Sequence, residues 1–200
     1  MKTMEEQAAG KRSLALPITL VLLVFSLIGN VFFYSQFLQG KQDTRYRTGQ
    51  HIIETAVLTK VQYETLLNEA NRLLELNELG VVPGTSPGKG DLTATRSTAD
   101  SAFIAEAYLL KGEKPKVDGI NTYFQQIRQS LDELHNLKQP MTEQQVANLN
   151  KIRDALNAQY EIIQKFNFDA AETRISTIQL ASGIDWLELA DQLEASIASQ

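Results

Sequence analysis

The chain has 200 residues, and 19 Lys and Arg against 24 Asp and Glu give it a formal net charge of −5. Residues 1–40 hold three of the bases and two of the acids, so residues 41–200 carry 16 bases against 22 acids. This acidic balance argues against nucleic acid as a partner, because phosphate backbones are bound by concentrated Lys and Arg. The lack of cysteine excludes disulfides, thiol chemistry and cysteine lipidation.

The N-terminal part of the sequence contains a long apolar run. Residues 14–34 read LALPITLVLLVFSLIGNVFFY and include no charged side chain. About 20 helical residues cross a ~30 Å hydrocarbon core, whereas a cleaved signal peptide is shorter and ends in small residues. We predict a retained transmembrane signal-anchor helix over residues 14–38, after a cytoplasmic tail over residues 1–13. Large side chains near its outer end suit an aromatic belt at the membrane interface, namely Phe32, Phe33, Tyr34 and Phe37.

The basic residues beside this run predict its orientation. Lys11 and Arg12 come just before it, and short basic N-terminal tails stay on the cytoplasmic side. We therefore predict a single-pass protein of the cell membrane with a cytoplasmic N-terminus and an extracytoplasmic C-terminal domain. The membrane lipid bilayer is its first predicted partner.

One polar residue in the apolar run suggests a second partner. The side-chain amide of Asn30 needs a hydrogen-bonding group inside a membrane, and Ser26 shares its helix face at a spacing of four, with Gly29 beside them. The spacing predicts that these three residues contact another transmembrane helix. In the alternative interpretation, Asn30 lies shallow enough to reach the water at the headgroups.

The soluble part begins with a long amphipathic pattern. Residues 39–49 are predicted to be a juxtamembrane stalk, followed by a helical-bundle domain over residues 50–200. Its first helix is predicted from about Gln50 to Leu79, and Gly80 is expected to end it because glycine tolerates positive φ. Spacings of three and four define a core-facing stripe of Ile52, Ala56, Thr59, Tyr63, Leu66, Ala70, Leu73 and Asn77, widened by Ile53, Leu67 and Leu74.

Residues 80–95 form a predicted flexible loop. The segment GVVPGTSPGKG holds four glycines and two prolines, which neither helix nor strand tolerates. A phosphate-binding loop is the functional alternative, but the G-x-x-x-x-G-K-[ST] order is missing. We interpret the segment as a plain linker.

Three further helices are predicted by stripes and caps. Ser97 and Asp100 have a capping-box-like spacing at the start of the second helix, which is expected to end at Gly112. The third ends before Pro140, and Thr142 with Gln145 caps the fourth. The short link between them predicts antiparallel neighbours. The core-facing stripe of the third helix is Val117, Ile120, Phe124, Ile127, Leu131 and Leu134. That of the fourth helix is Val146, Leu149, Ile152, Leu156, Tyr160 and Ile163.

The C-terminal segment is predicted to hold two more helical pieces. A fifth helix is expected from about Asp169, with Ile175 and Ile178 facing inward, and a break follows at Ser182–Gly183. Asp185 is expected to cap a final helix. Residues 169–200 hold six acids and one base, and we interpret them as a solvated outer face, the alternative being a docking face for a basic partner. The inward residues of the final helix are Leu187, Ala190, Leu193 and Ile197.

These elements predict an all-α protein: one N-terminal transmembrane helix followed by an antiparallel helical bundle of four main helices plus a C-terminal helical segment. The layout resembles the single-anchored helical ectodomains of bacterial envelope and sporulation proteins. It is also similar to the four-helix sensory ectodomains of chemoreceptors, although no second transmembrane helix follows. No specific motif carries either resemblance, so it assigns no site residues.

The candidate chemistry is sparse. His51 with Glu54, and Asp132 with His135, have a spacing of three that suits surface ion pairs better than a carboxylate-bridged metal site. The aromatic residues Tyr63, Tyr108, Tyr123, Tyr160 and Trp186 fit core packing better than a binding box. We find no nucleophile elbow, zincin motif or dinucleotide fingerprint. The sequence therefore predicts no catalytic residue, no metal site and no cofactor.

The sequence points to a non-catalytic interaction or scaffolding module of the bacterial cell envelope. A protein in the membrane or envelope is the expected partner, and a second copy of the chain is a further candidate. The alternative is a sensor-type ectodomain that binds a small ligand between its helices and signals through a membrane partner. An envelope hydrolase is a third hypothesis, and it would need a pocket with converging carboxylates.

Overall fold

The computed structural model describes residues 15–85 and 101–200, and these residues form helices and no strand. The all-α prediction is confirmed. The chain divides into two compact units, which we call the N-terminal unit (up to Thr44) and the bundle unit (Arg45–Gln200). The α-helices are α1 (Ala15–Glu78), α2 (Ala102–Leu110), α3 (Asp118–His135), α4 (Glu143–Ile163), α5 (Arg174–Leu180) and α6 (Leu187–Ala198), with short 3-10 helices at Pro83–Thr85 and Phe168–Glu172.

Helix α1 belongs to both units. Residues 39–49, predicted as a stalk, are helical, and the bundle unit already begins at Arg45. The predicted core-facing stripe is confirmed, because Ile52, Ala56, Tyr63 and their successors are buried, while Asn77 at its end is half-buried. The helix ends at Glu78, and Gly80 has the positive φ (66°) expected of a helix stop.

Helices α3 and α4 pack against α1 in opposite directions. The rings of Tyr63 on α1 and Phe124 on α3 meet edge to face at 5.5 Å, and Arg72 contacts His135 further along both helices, so α1 and α3 run parallel. Tyr123 bonds to Gln159 on α4, and the later part of α3 lies beside the earlier part of α4, so this pair is antiparallel as predicted.

Of two predicted helix caps in the described residues, one is confirmed and one is wrong. Thr142 and Gln145 form the complete capping box at α4. Asp185 does not cap α6: it has a left-handed φ of 68°, and Trp186 occupies the N-cap position instead. The tail over residues 1–13, the loop beyond residue 85 and the Ser97–Asp100 cap lie outside the described residues. The second helix is seen from Ala102.

Helix α6 is a central element of the bundle unit. It packs against α2, α3 and α4, and it buries the predicted Ala190, Leu193 and Ile197. Tyr108 on α2 bonds to Glu194, and Lys111 bonds to Asp191 one turn earlier, so α2 and α6 are antiparallel. One face of the acidic C-terminal segment is therefore part of the core.

The fifth predicted helix is wrong in its start and its inward face. Asp169 lies in the 3-10 helix Phe168–Glu172, and α5 begins only at Arg174. Ile175 is 72% exposed and Ile178 is half-buried, whereas Thr177 and Leu180 point inward. The reason is that α5 approaches α1 closely at Thr177, so Thr177 lies in the interface between the two helices.

Gly49 makes that approach possible. A Cβ atom at this position would lie 1.9 Å from the carbonyl oxygen of Thr177. The Thr177 hydroxyl donates to the carbonyl oxygen of Ala170 at 2.9 Å, which fixes the opposing backbone. Helices α1 and α5 therefore meet backbone to backbone at Gly49.

We expect Gly49→Ala to lower the free energy of unfolding by about 1–3 kcal/mol, because overpacking outweighs the better helix propensity of alanine. Gly119→Ala on α3 is the control, since its Cβ would meet nothing within 4 Å. This control should be neutral or stabilising by up to about 1 kcal/mol. Urea denaturation followed by circular dichroism measures both variants, and equal effects would contradict the close approach.

Candidate functional site

The N-terminal unit exposes a continuous apolar surface. In the segment from Ile18 to Leu38, large apolar side chains are exposed around the whole helix, and Phe33 reaches 72%. Among the described residues, α1 contains the one segment that is long and apolar enough to cross a membrane. In water, each such side chain forgoes about 1.5–3 kcal/mol of burial. The segment therefore fits an apolar surrounding better than an aqueous one.

The predicted helix-contact residues lie within this segment. Ser26 and Asn30 are exposed and one helical turn apart, while Gly29 is half-buried. A Cβ atom on Gly29 would meet nothing within 4 Å, so the backbone there is open to close approach by another helix. The contact with another transmembrane helix stays a prediction.

The residues of the predicted aromatic belt come directly after Asn30 and Val31 in the chain. Phe32, Phe33, Tyr34 and Phe37 are all exposed, and the rings of Phe32 and Phe33 meet edge to face at 6.1 Å. The Nζ atom of Lys41 lies 4.5 Å from the ring centroid of Phe37, which is a cation–π distance. Apolar and cationic groups therefore follow one another over a single turn, as at membrane interfaces. The belt itself stays a prediction.

A groove lies between α3 and α4 in the bundle unit. It consists of two adjacent cavities of about 300 and 310 Å³, and both are lined by Ser130 and Ile152. One cavity extends toward Tyr123, and the other toward Glu133 and Leu134. Its walls combine apolar side chains with amides and hydroxyls.

One member of the second predicted ion pair, His135, lies in a buried polar cluster. His135 is only 7% exposed, so its interpretation as a surface residue is wrong. The guanidinium of Arg72 donates two hydrogen bonds to the buried carboxylate of Glu69, at 2.9 and 3.1 Å, and lies 2.8 Å from Nδ1 of His135. The hydrogen bond to Glu69 raises the pKa of Arg72. The cluster joins α1 to α3.

Sequence reasoning missed Glu69 because a carboxylate was not expected in the core. The spacing nevertheless contained a signal, since Glu69 follows Leu66 by three residues and precedes Leu73 by four. The other histidine behaves as predicted. His51 lies 3.6 Å from Glu54 and also 3.0 Å from Glu106 on α2.

The five aromatic residues do not form one box. Tyr63 and Trp186 are buried in the core, as the packing interpretation predicts. The remaining tyrosines are half-buried and bond to polar side chains on other helices: Tyr108 to Glu194, Tyr123 to Gln159, and Tyr160 to Glu64. They connect helices through their hydroxyl groups.

The Tyr108–Glu194 bond predicts a pH effect. The hydroxyl donates to Oε1 of Glu194 at 2.6 Å, and this bond raises the pKa of Tyr108 to about 12. Because the unfolded chain would lose this proton near pH 10 and the folded chain keeps it, the free energy of unfolding falls as the pH rises from about 10 to 12. We expect Glu194→Gln to reduce this loss.

Absorbance at 295 nm measures the titration directly. In the native chain, Tyr108 should ionise near pH 12, and Glu194→Gln should bring its pKa toward the ordinary value. Glu188→Gln on the same helix makes the same charge change and is the control, because Glu188 instead accepts a bond from Gln192. An identical titration in both variants would refute the role of Glu194.

The chain matches no protein-family description, and no curated protein or solved structure shows significant similarity to it.

Proposed function

We propose that the chain is a membrane-anchored, non-catalytic helical interaction module of the bacterial cell envelope. The anchor is the segment over residues 14–38, with the N-terminus in the cytoplasm and the bundle unit outside the membrane. The bundle unit, or the anchor itself, holds a protein partner at the membrane surface. The non-catalytic part is motivated by the sequence, in which we found no catalytic motif.

One observation carries the proposal: the exposed apolar surface from Ile18 to Leu38. It contrasts with the bundle unit, where Leu66, Leu131 and Leu156 are fully buried within the chain's own core. A helix that is apolar on all sides is stable when lipid or other protein surrounds it. Lipid is the surrounding that suits its length of about 20 residues.

The partner is expected to contact the anchor through Ser26, Gly29 and Asn30. Small and amide side chains favour close packing and hydrogen bonding between transmembrane helices, and model systems give about 0.6–2 kcal/mol for such polar contacts. The complementary chemistry is a second membrane helix with a small residue or a hydrogen-bonding side chain at the same depth. A second copy of this chain would satisfy it as well.

Crosslinking of the full chain in its native membranes, followed by mass spectrometry, tests the proposal. We expect one recurrent membrane partner, and Asn30→Leu should lower its yield about 3- to 30-fold. Val31→Leu, the neighbouring exposed position, is the control and should leave the yield unchanged. If no partner is captured and the purified chain turns over a substrate, the proposal is wrong.

The groove between α3 and α4 favours a second candidate function, a sensor-type ectodomain that binds a small amphipathic ligand between helices. Two adjoining cavities of about 300 Å³ each reach the lower range of small-molecule sites. Ser130 lies at their junction and would fix the polar end of such a ligand. Binding would then reach a membrane partner through the anchor.

Decanoate is a suitable probe for this second candidate. It should raise the thermal midpoint of the full chain in nanodiscs, because a ligand of the folded state stabilises that state. Ser130→Trp would fill the junction and abolish the shift, whereas Gln129→Trp, on the exposed side of α3, should preserve it. Equal shifts in both variants would rule out the groove.

A further inference from the structure

One end of the bundle unit combines exposed apolar and cationic side chains. We call it the α5 end and define it by Arg45–Gly49 of α1 together with α5 (Arg174–Leu180). Two contacts place α5 beside this first part of α1: Gly49 faces the Thr177 backbone, and the Cζ atom of Arg174 lies 4.8 Å from the ring centroid of Tyr46. The α5 end is therefore a defined surface of the bundle unit.

Ile175 is the conspicuous residue of this surface. At 72% it is the most exposed large apolar side chain among those described in the bundle unit. Ile178 is half-buried one turn further on, and Ile184 is 52% exposed in the turn that follows α5. A single exposed isoleucine needs no explanation, but exposed apolar side chains that lie beside a cationic one are typical of a membrane-interface surface.

The charges at the α5 end differ from those of the rest of the bundle unit. Residues 169–200 hold six acids and one base, Arg174. The contact with Tyr46 places Arg174 beside α1, the helix that carries Arg45 and Arg47. Asp169 and Glu172 lie on the preceding 3-10 helix. Arg174 thus lies beside the part of α1 that carries the exposed Arg45 and Arg47, and cationic side chains are complementary to anionic headgroups.

The chain also limits how far this surface can lie from the proposed anchor. Only residues 39–44 separate Leu38 from Arg45, and even a fully extended chain spans at most about 3.3–3.6 Å per residue. The start of the bundle unit is therefore within about 25 Å of the outer end of the span. The proposed bilayer is therefore within reach of the α5 end.

We propose that the α5 end lies on the anionic surface of this same membrane. Ile175 inserts at the boundary between headgroups and acyl chains, and Arg45, Arg47 and Arg174 bind lipid phosphates. The contact would restrict the orientation of the bundle unit on the membrane. This inference rests on the proposed function, because it requires the anchor to be in the bilayer.

The absence of cysteine from the sequence gives a clean test, since each introduced cysteine carries the only thiol. The full chain is reconstituted in nanodiscs of phosphatidylcholine and phosphatidylglycerol, with a spin label at Ile175→Cys, Leu79→Cys or Phe33→Cys. Leu79 is similarly exposed, at 69%, but lies at the other end of α1 within the bundle unit. The accessibility of each label to oxygen and to a water-soluble nickel chelate reports its depth.

We expect the label at position 175 to be protected from nickel and accessible to oxygen, and the label at position 79 to be fully aqueous. If the labels at 175 and 79 are equally aqueous while the label at 33 is in lipid, the surface contact is refuted and the anchor stands. If the label at 33 is also aqueous, the proposed function itself fails.

A charge change in the Ile175→Cys background tests the arginines. Arg174→Gln should weaken association of the labelled site with the anionic surface about fivefold, because each basic side chain near such a surface strengthens binding by about that factor. Arg153→Gln makes the same change on α4, where Arg153 pairs with Asp154, and should have no effect. If neither substitution changes the depth of the label, the lipid-phosphate contact of Arg174 is refuted.

Discussion

Trp186→Ala should lower the free energy of unfolding by about 3–5 kcal/mol, the usual range for removing a large buried aromatic side chain. Trp186 is 1% exposed, and its ring lies 5.3 Å from that of Phe103 on α2. Phe103 also contacts Phe166, which follows α4, at 5.6 Å. The substitution therefore opens a cavity where the connection from α5 to α6 meets two other parts of the core.

Trp186 also holds this connection by a hydrogen bond. Its indole N–H donates to the carbonyl oxygen of Leu180 at 2.8 Å and so closes the turn between α5 and α6. Trp186→Phe keeps most of the ring contacts but loses this bond, so its cost should be smaller than that of Trp186→Ala. Urea denaturation monitored at 222 nm compares the two, because both variants lack the only tryptophan. A loss below about 1 kcal/mol for alanine would contradict the packing described.

The second large effect is expected in the anchor. Val24→Arg combined with Ile28→Arg places two charges near the middle of the apolar run, on one helix face. At about 2.5–3.5 kcal/mol per central arginine, the pair should cost about 5–7 kcal/mol of membrane insertion. We expect the fraction of the chain that resists alkaline carbonate extraction to fall from nearly all to a minor part.

The matched control replaces the same residues with leucine. Val24→Leu with Ile28→Leu keeps the run apolar and should leave the resistant fraction unchanged. Both variants should keep the far-ultraviolet spectrum of a helical protein, because the core of the bundle unit lies elsewhere in the chain. An arginine variant that resists extraction as fully as the native chain would argue against a membrane-spanning segment.

Long periodic patterns were sufficient to predict most of the fold. In α1 and α3, stripes over about four turns or more predicted the buried face, from Ile52 to Leu73 and from Ile120 to Leu134. The capping box at Thr142 was also correct, because it depends only on residues three apart. Local chemistry and long periodicity are both contained in the sequence itself.

Short elements were not predictable in the same way. Helix α5 has seven residues, so Ile175 and Ile178 could not define a face by periodicity, and the tertiary contact between Gly49 and Thr177 determined it. His135 was assigned to the surface because its partners Glu69 and Arg72 lie more than sixty residues away in the sequence. Both errors have the same cause, namely contacts between distant segments.

The sequence was sufficient to predict the apolar segment of the candidate site but not the surfaces that helices form together. The apolar run predicted the exposed helix with Ser26, Gly29 and Asn30, because hydropathy alone defines such a segment. The groove beside Ser130 and the exposed Ile175 depend on how helices are arranged, which periodicity does not specify. Partner chemistry therefore has to be inferred from the structure.

Intact-mass analysis of the chain recovered from its native membranes after carbonate washing tests the central claim most directly. We predict that the membrane fraction holds a species whose mass includes residues 14–38. A processed chain that begins after Tyr34 and stays in the wash would contradict the account.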